Sequence, residues 1–125
     1  MNLSLNTIIL YVRDIENSKF FYANILELEI VEEDAIWVFF KTGIGYIGLH
    51  KMGDTYLNKL SNTHKFNNNA KIVFEIEEDI NSLRLTLLGK NVLMREIKTF
   101  ENYDYWLCDG EDPEGNVFQL KQRKL

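Results

Sequence analysis

Few residues in this sequence could do chemistry, and those few lie on separate segments. His50, Glu75 and Gln119 carry nitrogen or oxygen donors inside stretches whose pattern is typical of strands. Glu75 is a candidate catalytic base that could take a proton from a bound substrate, although a salt bridge with Lys71 or Lys121 is the simpler alternative. The sequence contains no nucleophile elbow, no P-loop and no helical pair of metal-binding histidines.

Aromatic residues give a second candidate feature. Trp37 and Phe39 alternate with aliphatic and aromatic neighbours along one predicted strand, and Trp106 lies in a similar run near the C-terminus. Together with Tyr11, these rings could line one concave sheet and bind a flat or cationic organic molecule through stacking and cation–π contact. The alternative is that the large rings only fill the interior.

The first half of the chain predicts the order βαβββ. Residues 7–12 are rich in β-branched residues, and Asp14 is a candidate N-cap for the helix that follows. The helix carries an apolar stripe (Ile15, Ser18, Phe21, Tyr22, Ile25 and Leu26), with Phe20 outside it. Strands are predicted near 28–33, 35–41 and 45–51.

The second half repeats this order after a polar connector at 52–69. A strand at 71–76 precedes a helix with Ile80, Leu83 and Leu87 on one face, and Gly89 is its expected end. Strands are predicted near 92–97, 103–108 and 117–122, the last after the turn Asp-Pro-Glu-Gly-Asn. The halves align at an offset of 64 residues, so we predict modules at 1–51 and 70–125 that form one domain.

Alternation along the strands predicts which side chains face away from the helices. Thr7, Ile9 and Tyr11 share that face in the first strand, because Ile8, Leu10 and Val12 are expected to pack under the helix. By the same rule Lys71, Val73 and Glu75 share it in the strand at 71–76. Val117, Gln119 and Lys121 share it in the last strand.

Composition narrows the possible partners and location. The 125 residues are 46% hydrophobic with a net charge of −5 and one cysteine, Cys108. No basic stripe for phosphate contacts is present, so nucleic acid is not an expected partner. No run of 18 apolar residues and no secretion signal is found, so we expect a cytoplasmic protein without membrane contact.

These segments resemble the vicinal oxygen chelate superfamily, which includes glyoxalases, bleomycin-resistance proteins and extradiol dioxygenases. The similarity rests on Val12-Arg13-Asp14-Ile15, Ser18, Phe21-Tyr22, Leu26-Glu27-Leu28 and the turn at 112–116. The family usually has glycine where this chain has Glu27. The resemblance implies an α+β fold of two βαβββ modules in tandem, each a half-barrel sheet with one covering helix, that enclose a cavity.

The resemblance also implies where a metal would be held and how the chain would assemble. The family's ligand positions align with Thr7, Gly48 or Ile47, Lys71 and Gln119, of which only Gln119 could ligate, so we predict no metal and no cofactor. A displaced site from His50, Glu75 and Gln119 stays an alternative. Many small members pair half-barrels across a dimer, so a homodimer is expected.

Three functions follow as hypotheses. The first is a binding protein, similar to bleomycin-resistance proteins, that holds a small organic molecule without metal. Its predicted ligand-binding residues are Tyr11, Trp37, Phe39, His50, Glu75, Trp106 and Gln119. The second is a lyase or isomerase of the glyoxalase type, or a dioxygenase-like enzyme, that uses a displaced ion or Glu75. The third is a protein-interaction module with Phe20 as an anchor.

Overall fold

The structure is a computed structural model that describes residues 1–66 and 68–125. The chain divides into two compact units, Met1–His64 and Lys65–Leu125. Each unit contains one four-stranded sheet with a helix. This arrangement confirms the predicted α+β fold of tandem βαβββ modules.

The first unit has the strand order β1-β4-β3-β2. Its elements are β1 (Thr7–Val12), α1 (Ile15–Phe20), β2 (Glu29–Glu33), β3 (Trp37–Lys41), β4 (Tyr46–Lys51) and the short α2 (Asp54–Leu57). A π-helical turn, Phe21–Ile25, extends α1. Strand β1 runs parallel to β4, and the other pairs are antiparallel.

Helix α1 forms where its cap and stripe predict. The Asp14 carboxylate accepts a hydrogen bond from the backbone N–H of Asn17 at 3.0 Å, which satisfies one unpaired donor of the first turn. The stripe residues Ile15, Ser18, Phe21 and Tyr22 are buried against the sheet. Phe20, outside the stripe, is exposed. One face of the first sheet is thereby covered, and the other is left for a site.

The second unit has the strand order β5-β8-β7-β6. Its elements are β5 (Ile72–Ile76), α3 (Ile80–Gly89), β6 (Leu93–Met94), β7 (Tyr105–Glu111) and β8 (Val117–Arg123). Asp79 is the N-cap of α3, and its carboxylate accepts a hydrogen bond from the backbone N–H of Ser82 at 2.9 Å.

Strand β6 is much shorter than predicted. The backbone N–H of Arg95 still donates to the carbonyl of Asp109, but the Arg95 carbonyl accepts from the Arg84 Nε–H at 2.8 Å and from the Cys108 thiol at 3.3 Å instead of from the β7 backbone. Pairing resumes only at the isolated bridge between Lys98 and Leu107. Side chains of α3 and β7 therefore occupy the carbonyl that would continue the ladder predicted over 92–97.

Glu27 adopts a left-handed backbone conformation, with φ of 60°. A residue with a side chain adopts this conformation at a cost of about 1 kcal/mol relative to glycine. Glu27 is also the position at which the resembled family usually has glycine. We therefore expect Glu27→Gly to raise the free energy of unfolding by about 1 kcal/mol in urea denaturation. Glu16→Gly is the matched control, because it removes the same charge from a helical position in α1 and is expected to destabilise. Equal or lower stability for Glu27→Gly would contradict the strain.

Candidate functional site

The uncovered face of the first sheet carries a continuous row of five rings. We call the residues Tyr11, His50, Trp37, Phe39 and Tyr46 the aromatic face. Successive ring centroids along this row are 5.3, 6.1, 5.4 and 4.9 Å apart. The last two contacts are stacked, with interplanar angles of 21° and 8°. Such spacing is that of interacting aromatic pairs.

Strand register brings these rings together. His50 in β4 pairs with Tyr11 in β1 on one side and with Trp37 in β3 on the other. Since paired residues point to the same face and the side-chain period is two, Phe39 and Tyr46 follow on that face. The row includes one polar ring, His50, which lies between Tyr11 and Trp37 and whose Nδ1 is 2.8 Å from the carbonyl oxygen of Lys51.

Gly48 makes room for the row. A Cβ atom on Gly48 would lie 2.3 Å from Cη2 of Trp37, closer than real Cβ contacts come. The indole of Trp37 therefore lies over the backbone of β4, where any other residue would place a side chain. Gly48 is one of the two alternatives for a family ligand position, and an indole now covers it.

Glu32 fixes the indole from the edge strand. The Trp37 Nε1–H donates to the Glu32 carboxylate at 3.1 Å. A register shift between Ile30 and Glu32 makes Glu32, and not Val31, the partner of Phe39. This bulge brings a carboxylate to the aromatic face, which is a common use of bulges. Glu32 is not predictable from the sequence, because a bulge leaves no mark in the alternation of side chains.

The second sheet places Gln119 in a polar network. The Gln119 amide donates to Oδ1 of Asp109 at 2.9 Å, and the Lys71 ammonium donates to Oδ2 of Asp109 at 2.8 Å. Asp109 pairs with Gln119 across β7 and β8, so both side chains share the face away from α3. The side chain of Gln119 is thus engaged by the carboxylate of Asp109, a residue that lies beyond the strand predicted at 103–108.

Asp109 is buried, with 5% of its side chain exposed, and three cations surround it. Arg95 and Lys98 approach Oδ2 at 3.6 and 3.9 Å in addition to Lys71. Burial opposes ionisation of Asp109, but the hydrogen bonds from Lys71 and Gln119 and the charges of Lys71 and Lys98 outweigh it. The pKa of Asp109 is therefore lowered from its ordinary value.

We expect Asp109→Asn to lower the free energy of unfolding at neutral pH by about 2 kcal/mol, because the cations lose their buried counter-charge. Because the pKa of Asp109 is lower in the folded chain, its ionised carboxylate stabilises the fold at pH values above the unfolded pKa of 3.8. This stabilisation is lost as the pH falls through the folded pKa. The difference between the two proteins should therefore shrink below about pH 4 in urea titrations.

Asp104→Asn is the matched control, since Asp104 is exposed and its contact with Arg123 is 4.0 Å long. A gap between Asp109→Asn and the natural chain that stays constant down to pH 2 would contradict this assignment.

Two predicted site residues lie differently from expectation. Trp106 is two residues before Cys108 in β7, so the two side chains point to the same face of the sheet. This is the face towards α3, opposite to that of Gln119. Glu75 does share the face of Gln119, but the lysines expected to bridge to it have other partners. Lys71 binds Asp109, and the Lys121 ammonium lies 4.0 Å from the centre of the Tyr105 ring.

The residues at the family's metal positions do not fit a divalent ion. The Thr7 hydroxyl donates to the side chain of Asn6, and Gly48 is covered by Trp37. Lys71 places a positive charge where a ligand would stand, and the Gln119 amide donates to Asp109. Within residues 1–66 and 68–125, no three His, Cys, Asp or Glu side chains cluster as a metal site would require.

A groove of about 390 Å³ lies elsewhere in the first unit. Arg13, Asp14, Lys51 and Leu57 are among its lining residues. It is separate from the aromatic face, and its polar rim offers no stacked rings. Across the described part of the chain, no helix is both long and apolar enough to cross a membrane.

Comparisons with known proteins identify the fold. No protein-family model and no curated protein sequence matches the chain. Among solved structures, SMU.1112c superposes with a TM-score of 0.77 at 18% identity, over 95% of this chain and 98% of that one. Lactoylglutathione lyase from Agrobacterium tumefaciens gives a TM-score of 0.75 at 17% identity, over 98% of this chain and 95% of that one.

A third structure extends this similarity. The fosfomycin resistance protein FosX from Listeria monocytogenes gives a TM-score of 0.72 at 18% identity, covering 100% of this chain and 95% of that one. The chain therefore has the fold that the resemblance to the vicinal oxygen chelate superfamily implied. The structural neighbours include a lactoylglutathione lyase, a fosfomycin resistance protein and a glyoxalase-related enzyme.

Proposed function

We propose that this protein binds a flat organic molecule, aromatic or cationic, on the aromatic face, and that no metal ion takes part. The observation that carries the proposal is the row of five half-open rings between Tyr11 and Tyr46. Tyr11 is 58% exposed, so an outer ring is accessible to a ligand. Apolar surface of this kind on one sheet face is typical of ligand sites.

Charge favours a cation over an anion at this face. The Glu32 carboxylate lies beside the indole of Trp37, and the first unit contains eight acidic and five basic residues. A cation above an indole or phenol ring gains about 0.5–2 kcal/mol, and a nearby carboxylate adds to that attraction. A planar ring with a delocalised positive charge satisfies both requirements.

The absence of suitable ligands at the metal positions supports a binding role over the metal-dependent lyase or isomerase. Lys71 and Gln119 are both engaged with Asp109, and Gly48 offers no donor. Two structural neighbours are named for small molecules, fosfomycin and lactoylglutathione. A role in sequestering a small molecule, as in bleomycin resistance, agrees with this comparison.

Tryptophan fluorescence tests the proposal, because the chain has two tryptophans that lie in different units. In Trp106→Phe, Trp37 is the sole indole reporter. We expect saturable quenching of this variant by N-methylquinolinium, weaker quenching by uncharged quinoline, and little response to tetramethylammonium. The matched variant Trp37→Phe should show no saturable response. Equal responses from both variants, or none from either, would refute the proposal.

A further inference from the structure

The second unit carries a group of cations that the proposed function does not use. Lys71, Arg95 and Lys98 converge on one carboxylate oxygen, Oδ2 of Asp109, at 2.8, 3.6 and 3.9 Å. Their side chains are between 41 and 49% exposed, whereas that of Asp109 is 5% exposed. The carboxylate thus lies beneath the cations, and the charged ends of the cations remain open to solvent.

Hydrogen-bonding capacity remains at two of these cations. Only Lys71 is within hydrogen-bond distance of Asp109, since the contacts of Arg95 and Lys98 exceed 3.5 Å. Arg95 also reaches Glu111 through its other terminal nitrogen at 3.4 Å. A guanidinium has five N–H donors and an ammonium has three, so most of the donors of Arg95 and Lys98 are left for another acceptor.

The charges that face this group leave it positive. Asp109 and Glu111 supply two negative charges against the three cations. On the same face, Glu75 and Lys121 are register partners that make no salt bridge with each other, and they add one charge of each sign. A positive surplus over a buried carboxylate is unusual in a chain with a net charge of −5.

From this geometry we infer that Lys71, Arg95 and Lys98 form a binding site for a small oxyanion, a carboxylate or a phosphate group. The buried Asp109 holds the three cations in place, and the Gln119 amide orients Asp109 from its other oxygen. The incoming oxyanion supplies the missing counter-charge and accepts charge-assisted hydrogen bonds from Arg95 and Lys98. This site uses none of the residues of the aromatic face.

NMR titration of the full chain with inorganic phosphate, and separately with acetate, tests the site at constant ionic strength. We expect saturable shifts of the backbone amides of residues 71, 95 and 98, with a millimolar dissociation constant for at least one anion. Whichever anion saturates identifies the ligand group as phosphate or carboxylate. Lys98→Gln should weaken binding about tenfold, because a charge-assisted hydrogen bond is lost.

Lys90→Gln is the matched control, since Lys90 is an exposed lysine after α3, outside this group. It should bind as the natural chain does. Lack of saturation with both anions would overturn the inference, and so would equal weakening by the two variants. Because Lys98 makes the longest contact with Asp109, its replacement is not expected to unfold the protein.

Discussion

Replacing Asp112 by alanine is expected to lower the free energy of unfolding by about 3 kcal/mol. Oδ1 of Asp112 accepts from the backbone N–H groups of Glu114 and Asn116, each at 2.9 Å. Oδ2 accepts from the side-chain amide of Asn116, also at 2.9 Å. Asp112, Glu114 and Asn116 are all buried. Alanine would leave these donors unsatisfied, at about 1–3 kcal/mol each before relaxation. Urea denaturation measures the loss.

Asp112→Asn separates the hydrogen bonds from mere packing. Its side-chain oxygen can still accept from the two backbone donors, so it should lose roughly half as much stability as Asp112→Ala. Asp104→Ala is the surface control, expected within about 0.5 kcal/mol of the natural chain. If Asp112→Ala unfolds at the same urea concentration as Asp104→Ala, the turn does not depend on this carboxylate.

Gly48→Ala is expected to displace the indole of Trp37 and so disrupt the aromatic face. The new Cβ would stand 2.3 Å from Cη2 of Trp37, and the backbone of β4 cannot move away without breaking its pairs with β1 and β3. Overpacking of this kind costs about 1–3 kcal/mol of stability. In the Trp106→Phe background, we expect a red-shifted Trp37 emission and at least about tenfold weaker binding of N-methylquinolinium.

Gly53→Ala is the matched control for this substitution. A Cβ at Gly53 meets nothing within 4 Å, and the backbone φ of −65° is accessible to alanine. It should keep the emission and the affinity of the parent. An unshifted Trp37 spectrum in Gly48→Ala would show that the indole does not lie over β4.

Much of the fold could be predicted because its signals are local. The cap at Asp14, the stripe of α1 and the alternation in β5 each follow from one segment, and the structure has them where expected. In β1 the prediction was wrong for Ile8, which is exposed and not packed under the helix, whereas Val12 is buried as expected. Pairing between strands that are distant in the sequence was harder to predict. Strand β6 ends where the Arg84 and Cys108 side chains donate to the Arg95 carbonyl, and no pattern within residues 92–97 reveals these two contacts.

The candidate site was predictable only where alternation was unambiguous. In β3 the aliphatic set indicates which parity meets α1, so Trp37 and Phe39 were placed correctly on the uncovered face. In 103–108 large apolar or aromatic residues occur at both odd and even positions, so alternation does not decide which face is covered. For this reason Trp106 was assigned to the wrong face. Tyr46 could have been found, since it shares the parity of His50.

Asp109 shows a different limit. The strand was predicted to end at Cys108, so the residue that pairs with Gln119 fell outside it, and the cations around it come from three separate segments. Convergence of distant segments on one carboxylate is a property of the tertiary fold. The alternation rule gives the face of each residue but not the contacts between segments.

The most direct test of the metal-free aromatic site is the affinity of N-methylquinolinium measured by calorimetry with a chelator and with added nickel or zinc. We predict the same dissociation constant in all three conditions, with no tight stoichiometric binding of either ion to the free protein. Binding that disappears in chelator and returns with the metal would contradict the account and favour the metal-dependent enzyme.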